Sequence, residues 1–154
     1  MKISVIIPTY GTPKFLENTI RSVQNQTYQD WELLIVDDND PETEARKETE
    51  NLVMRFIAED ERIQYIKHPH NRNGAAARNT GIARAQGEYV AVLDSDDEYM
   101  PPRLEICSQQ LKECDDSIAG VYTGCEFRRQ GKTYNIVKDV KSGNFLTETL
   151  ACTF

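Results

Sequence analysis

Long apolar runs are missing from this chain: nowhere do the ~20 consecutive apolar residues of a membrane-spanning helix occur. Its opening, Met1-Lys2 followed at once by a short apolar run, has no signal-peptide architecture, and the two absences predict a cytoplasmic protein, free or at the cytoplasmic face of a membrane. Basic charge is short as well. Eighteen Lys and Arg face 25 Asp and Glu, for a net charge of −7, and the cations are scattered, which argues against nucleic acid as a partner. A bound phosphate must therefore be met by a local cation. Cys107, Cys114, Cys125 and Cys152 form no close metal-type pair and read as reduced structural thiols, the first two sharing a buried helix face. None of the eight glycines falls into the Gly-x-Gly-x-x-Gly or Walker spacing, so those nucleotide folds are disfavoured.

What the chain does have is acid in one place. Asp94, Ser95, Asp96, Asp97 and Glu98 follow directly on the apolar run Tyr89-Val90-Ala91-Val92-Leu93. Two unit charges 4 Å apart repel by roughly 4 kcal/mol at the effective dielectric of a protein surface. Such a cluster stays splayed in water, takes up protons or binds a cation. An all-oxygen site suits Mg2+ or Mn2+, ions that share their coordination with substrate phosphates.

Position decides between a solvated loop and a site. Ile3–Ile7 is a short β-branched run bounded by Pro8, a buried strand. Thr12-Pro13 predicts a helix start, with Phe15, Leu16, Ile20 and Val23 at helical period. Residues 31–36 form the next strand, ending on Asp37-Asp38-Asn39, and a helix over 41–59 follows with Leu52, Val53, Phe56 and Ile57 inward and Glu42 paired with Arg46. A strand over 63–66 leads to a loop in which His68 and His70 are expected at the surface. Residues 74–85 read as an alanine-rich helix capped by Gly87, residues 88–93 as a strand, and Pro101-Pro102 as the start of a helix carrying Leu104, Cys107, Leu111 and Cys114. Residues 118–127 and 132–138 read as two strands joined at Gly131. The alternation predicts an α/β fold, a mainly parallel sheet with helices on both faces. Ligands of such sheets sit beyond the carboxyl ends of the strands. Pro8-Thr9-Tyr10, Asp37-Asp38 and Asp94–Asp97 should thus converge on one crevice.

Val5-Ile6-Ile7-Pro8-Thr9-Tyr10, Gln26-Thr27-Tyr28, Val36-Asp37-Asp38-Asn39, Asn73-Gly74 with Ala77-Arg78-Asn79, Gly87-Glu88-Tyr89, and Leu93-Asp94-Ser95-Asp96-Asp97 followed by Pro101 form an ordered set. In these motifs the chain closely resembles glycosyltransferase family 2, the inverting nucleotide-sugar transferases of the Rossmann-like GT-A fold. The resemblance runs from about Lys2 to Leu111. It implies that Asp38 accepts from the ring N–H of a uracil or thymine, with Pro8, Thr9 and Tyr10 flanking the base. It further implies that Asp94 lies toward the ribose, Ser95 near the diphosphate, and that Asp96, with Asp94, holds Mn2+ or Mg2+. Asn73 and Arg78 belong to the donor pocket or its wall; for Arg78, direct donor contact and pairing with a nearby carboxylate are both open, as are a turn role and ligand contact for Asp37. Gly11 and Asn39-Asp40 depart from the family's usual residues but are able to take unusual backbone angles.

On this resemblance the 154 residues make one GT-A domain, with 1–116 binding a nucleotide sugar, a UDP-sugar by expectation, and 117–154 beginning an acceptor-side part that is incomplete. The acceptor would be a saccharide or a lipid-linked hydroxyl. No residue matches the family's base motif, so no catalytic base is assigned; Glu126, Asp139 and Glu148 are the acids available in the tail. Rival readings are a non-catalytic nucleotide-binding or interaction module, a haloacid-dehalogenase-type phosphohydrolase and a receiver-like signalling module.

Overall fold

After Met1-Lys2 comes a run of mostly β-branched residues, and Ile3–Thr9 forms β1, buried along almost its whole length. The structure is a computed structural model that describes residues 1–11, 13–114, 120–129 and 131–138. Two compact units divide the chain, Met1–Gln109 and Gln110–Phe154. In the first, α1 (Leu16–Gln24), β2 (Trp31–Asp37), α2 (Glu44–Glu59), β3 (Ile63–Lys67), α3 (Asn73–Arg84) and β4 (Tyr89–Val92) follow in order, and α4 (Arg103–Glu113) begins there. The four strands are parallel, in the order β3-β2-β1-β4.

Strand alternation sorts the core into two layers. Ile3, Val5 and Ile7 of β1 with Trp31, Leu33 and Ile35 of β2 pack on α1, α2 and α4 through Leu16, Ile20, Val23, Leu52, Val53, Phe56 and Leu104. Ile6, Leu34 and Val36 face the other way, onto Ala77 of α3. A Cβ on Gly81 would come within 2.4 Å of Ile6 Cγ2, so the absent side chain lets α3 lie close against β1. Helices thus cover both faces, as the alternation predicted. Since β2 lies on one side of β1 and β4 on the other, the chain reverses direction at β1, and its carboxyl end is the crevice of this sheet.

Several sequence expectations shift. The first helix starts at Leu16, three residues past Pro13, and Phe15 at its N-terminus is half exposed instead of buried; Thr12 lies outside the described residues. The second begins at Glu44, capped by the Thr43 hydroxyl, which accepts from Arg46 N. Glu42 therefore precedes the helix and is no partner for Arg46, which turns inward and is 5% exposed. Gly87 does not cap α3. Ala85 does, while a Cβ on Gly87 would meet the Lys2 carbonyl at 2.7 Å. On α4 the buried positions are Leu104 and Ser108; Cys107 is only partly buried, and Cys114, one residue past the helix, is exposed.

In the second unit β5 (Cys125–Arg129) and β6 (Lys132–Val137) pair antiparallel. Gly131, at φ 75°, takes the left-handed turn conformation. The earlier strand start at 118 is not found, since 120–124 are irregular and 115–119 lie outside the described residues, as do Asp139, Glu148 and Cys152. Among the described residues no helix is long and apolar enough to cross a membrane.

Candidate nucleotide-sugar site

The carboxyl ends of β1, β2 and β4 and one side of α3 enclose a cleft of about 230 Å³. Pro8, Thr9 and Tyr10 line it from β1, Asp38 from β2, Gly74, Ala77 and Arg78 from α3, and Asp94, Ser95 and Asp96 from the loop after β4. Of the expected donor residues, Asn73 alone is not on the wall. It stands at φ 71°, and its side-chain oxygen accepts from Ala76 N at 3.1 Å, which shapes the turn into α3. Tyr10 is 67% exposed at the rim.

Each loop is fixed by its neighbours. Gly11, at φ 83°, donates its N–H to Asn39 Oδ1 at 2.7 Å, tying the loop after β1 to that after β2. The acidic loop hangs from α1: Thr19 Oγ1 donates to the Ser95 carbonyl at 2.9 Å, and Tyr99 N donates to Ser22 Oγ at 3.0 Å. The Gln26 side chain bonds both the Met100 carbonyl and Leu104 N, holding the start of α4 below that loop.

Asp37 is wholly buried and is not one of the residues lining the cleft. Its Oδ1 accepts from Asn39 N at 2.9 Å and Asn39 Nδ2 at 2.8 Å, and its Oδ2 accepts from the Tyr65 hydroxyl. Burial and that adjacent carboxylate push the Tyr65 hydroxyl far above its usual range, so it stays a donor. Arg46 Nε lies 3.4 Å from Asp37 Oδ2, and its guanidinium donates to the carbonyls of Asp37, Asn39 and His68. Of the two roles open for Asp37, the structure shows the turn.

Asp38 differs. Its Oδ1 accepts from Arg72 N at 2.8 Å and faces His68 Nδ1 at 2.6 Å, while its buried Oδ2 has no hydrogen-bond partner among the described residues. His68, expected at the surface, is 4% exposed, and its Nε2 lies 2.8 Å from Thr80 Oγ1; His70 is exposed. An acceptor buried without a donor costs about 1–3 kcal/mol, more if charged. A ligand N–H in the cleft would remove that cost.

At the other end Arg78 Nη2 lies 2.5 Å from Asp94 Oδ1, the carboxylate pairing left open from sequence. It is also the cation on the cleft wall. Partial burial and then the charges of Asp96 and Asp94 raise the Asp97 carboxyl above its usual range. Like charges held this close favour a cation. No trio of His, Cys, Asp and Glu among the described residues is arranged as a metal cage. Two carboxylates, Asp94 and Asp96, do share the cleft, which fits an ion bound through one or two carboxylates and substrate phosphates.

A family model described as glycosyl transferase family 2 matches residues 4–149. The chain belongs to this family. Glycosyltransferase GlyG of Streptococcus pneumoniae is 33% identical over 150 residues, 97% of this chain and 47% of the relative. The GalNAc(5)-diNAcBac-PP-undecaprenol beta-1,3-glucosyltransferase of Campylobacter jejuni is 33% identical over 131 residues, 84% of this chain and 40% of the relative. The chain thus spans less than half the length of these curated relatives. Among solved structures, S. aureus TarS 1-349 in complex with UDP-GlcNAc superposes with a TM-score of 0.65 at 27% identity, over 73% of this chain and 32% of that one.

Membership in family 2 removes the phosphohydrolase and receiver readings and makes the sheet the GT-A, Rossmann-like one. What the sequence did not reveal is the polar scaffold behind the family 2 motifs, namely Arg46, Tyr65, His68 and Thr80. One signal was present for Arg46, which shares a helical stripe with the buried Thr49, Val53 and Phe56.

Proposed function

We propose that this chain is the donor-binding part of a metal-dependent glycosyltransferase that moves a sugar from a UDP-sugar to an acceptor hydroxyl with inversion. The observation that carries the reading is the convergence of Asp38 and the Asp94–Asp96 loop on one cleft. Asp38 Oδ2, buried and without a donor among the described residues, would accept from the uracil N3–H, with Tyr10 packing on the base. Asp94 would face the ribose and Ser95 the diphosphate. Mn2+ or Mg2+ held by Asp96 and Asp94 would supply Lewis-acid stabilisation of the leaving diphosphate. Arg78 adds a fixed positive charge to the same wall, the local cation that a chain of net charge −7 needs for a phosphate.

The UDP-GlcNAc bound by the TarS structure supports a uridine donor. The lipid-linked name of the Campylobacter relative supports a saccharide or lipid-linked acceptor, in polysaccharide assembly. Such a donor would be met in the cytoplasm or at its membrane face. Calorimetric titration with UDP and Mn2+ tests the reading. Wild type should bind UDP in the presence of the ion, and Asp96→Ala should weaken it by roughly ten- to hundredfold through loss of a charged ligand. Equal binding by the two proteins removes the assignment.

A further inference from the structure

Building on that donor-cleft reading, we infer that His68, braced by Thr80, is the positioning residue that makes the cleft selective for a nucleobase bearing an imino N–H. Asp38 is 3% exposed at its side chain. Among the described residues the donors that reach it, His68 Nδ1 and Arg72 N, arrive on Oδ1. Oδ2 is buried, without a partner among the described residues, and belongs to a residue of the cleft wall. The carboxylate is thus pinned along one edge and bare along the other.

His68 is itself held from every side. Its N–H donates to the Asp37 carbonyl at 2.9 Å, its carbonyl accepts from Arg46 Nη2 at 2.8 Å, and its two ring nitrogens meet Asp38 and Thr80. Thr80 lies on α3, the helix that also gives Ala77 and Arg78 to the cleft. A ring nitrogen 2.6 Å from a carboxylate oxygen is a donor whatever charge the ring carries. The Thr80 hydroxyl, able to donate or accept, then fixes the ring from behind.

The consequence concerns selectivity and not affinity alone. A carboxylate whose donors all sit on Oδ1 offers an acceptor-only Oδ2, which suits uracil or thymine N3–H and opposes the lone pair of cytosine N3. Without the His68 donor, Arg72 N alone of these two holds the Asp38 carboxylate, which can then turn away from the base. A carboxylate that has turned away neither accepts from uracil N3–H nor opposes cytosine N3. Loss of His68 should weaken UDP while sparing or improving CDP, whereas a purely structural defect would weaken both alike.

The test is calorimetry of UDP and of CDP, each with Mn2+, on wild type, His68→Ala, His68→Asn and Thr80→Val, with circular dichroism to verify folding. Wild type should prefer UDP by roughly ten- to hundredfold, the worth of one charge-assisted hydrogen bond. His68→Ala should cut that ratio at least about fivefold, and His68→Asn, which keeps a side-chain N–H toward Asp38, should restore most of it. Thr80→Val should lower it about twofold by loosening the ring. If His68→Ala fails to fold, an unchanged ratio in Thr80→Val overturns the inference. A wild-type preference that persists in folded His68→Ala, or an equal loss for both nucleotides, overturns the His68 role alone. No UDP binding by wild type overturns it together with the donor-cleft reading.

Discussion

One strand, β2, carries buried acids at both ends, and the two ends are finished differently. Near its start Glu32, 2% exposed, has every lone pair addressed: Oε1 accepts from Ser4 Oγ at 2.6 Å and Gln86 N at 2.7 Å, and Oε2 takes Gln64 Nε2 at 3.3 Å and the Lys2 ammonium at 3.4 Å. At its other end Asp37 is likewise surrounded, by Asn39, Tyr65 and Arg46. Asp38, one residue on and 2% exposed, is left with one oxygen that has no partner among the described residues. A fully paired buried carboxylate works for the fold. The half-paired one stands just past the carboxyl end of the same strand, on the cleft wall, and this contrast marks the proposed site more sharply than acidity does.

The contrast is broken most severely at Arg46. Its removal strands Asp37 and the carbonyls of Asp37, Asn39 and His68 together. Breaking a buried ion pair from one side costs about 3–5 kcal/mol, and Arg46→Met should lose that much in urea denaturation, as a lower midpoint with an unchanged slope. A loss under about 1 kcal/mol would mean that these groups find other partners and that Arg46 is no keystone.

Sequence periodicity makes the sheet and the helices legible because burial of apolar faces is a local property. Ile3, Val5 and Ile7 alternate, Leu52, Val53 and Phe56 recur at helical spacing, and both patterns survive in the core. The acids of the cleft are legible for a related reason, since each directly follows a strand and parallel strands end together. His68 and Arg46 escape because residues of their types are mostly surface groups, and what buries them is a partner far along the chain: 30 residues separate His68 from Asp38, and 22 separate Arg46 from the His68 carbonyl. Only the parallel register of β2 with β3, which sets Asp37 beside Lys67 and so Asp38 near His68, makes the pair. Phe15 misled in the opposite sense: its spacing suits a helix face, but the helix starts one residue later.

Glu32 gives the intermediate effect. Burial alone would raise its carboxyl, but the hydrogen bonds from Ser4 and Gln86 N and the Lys2 charge outweigh burial and hold it below the usual carboxylate range. The unfolded chain, with a glutamate near 4.3, then binds more protons than the native state between that value and the lowered one. Stability from this group is full above about pH 4.3 and disappears as pH falls through the native value. Glu32→Gln should cost about 1–3 kcal/mol at pH 7 and flatten the acid limb of a stability–pH curve measured by urea denaturation. Parallel acid limbs in the two proteins would show that Glu32 is not tuned by its partners.

Asp38 should give the smallest change in stability and the clearest change in binding. An asparagine there keeps one oxygen to accept from Arg72 N and the His68 ring, and the atom it replaces is the one that has no partner among the described residues. Asp38→Asn should therefore unfold within about 1 kcal/mol of wild type. Its new N–H2 would stand where Oδ2 stands and, on the donor-cleft reading, confront uracil N3–H with a second donor, so UDP should weaken by roughly tenfold or more while cytosine, with an acceptor at N3, is tolerated. Urea denaturation and calorimetry on one preparation separate the two quantities. Should Asp38→Asn cost as much stability as Arg46→Met, the bare oxygen is structural after all, and the two ends of β2 cease to differ in kind.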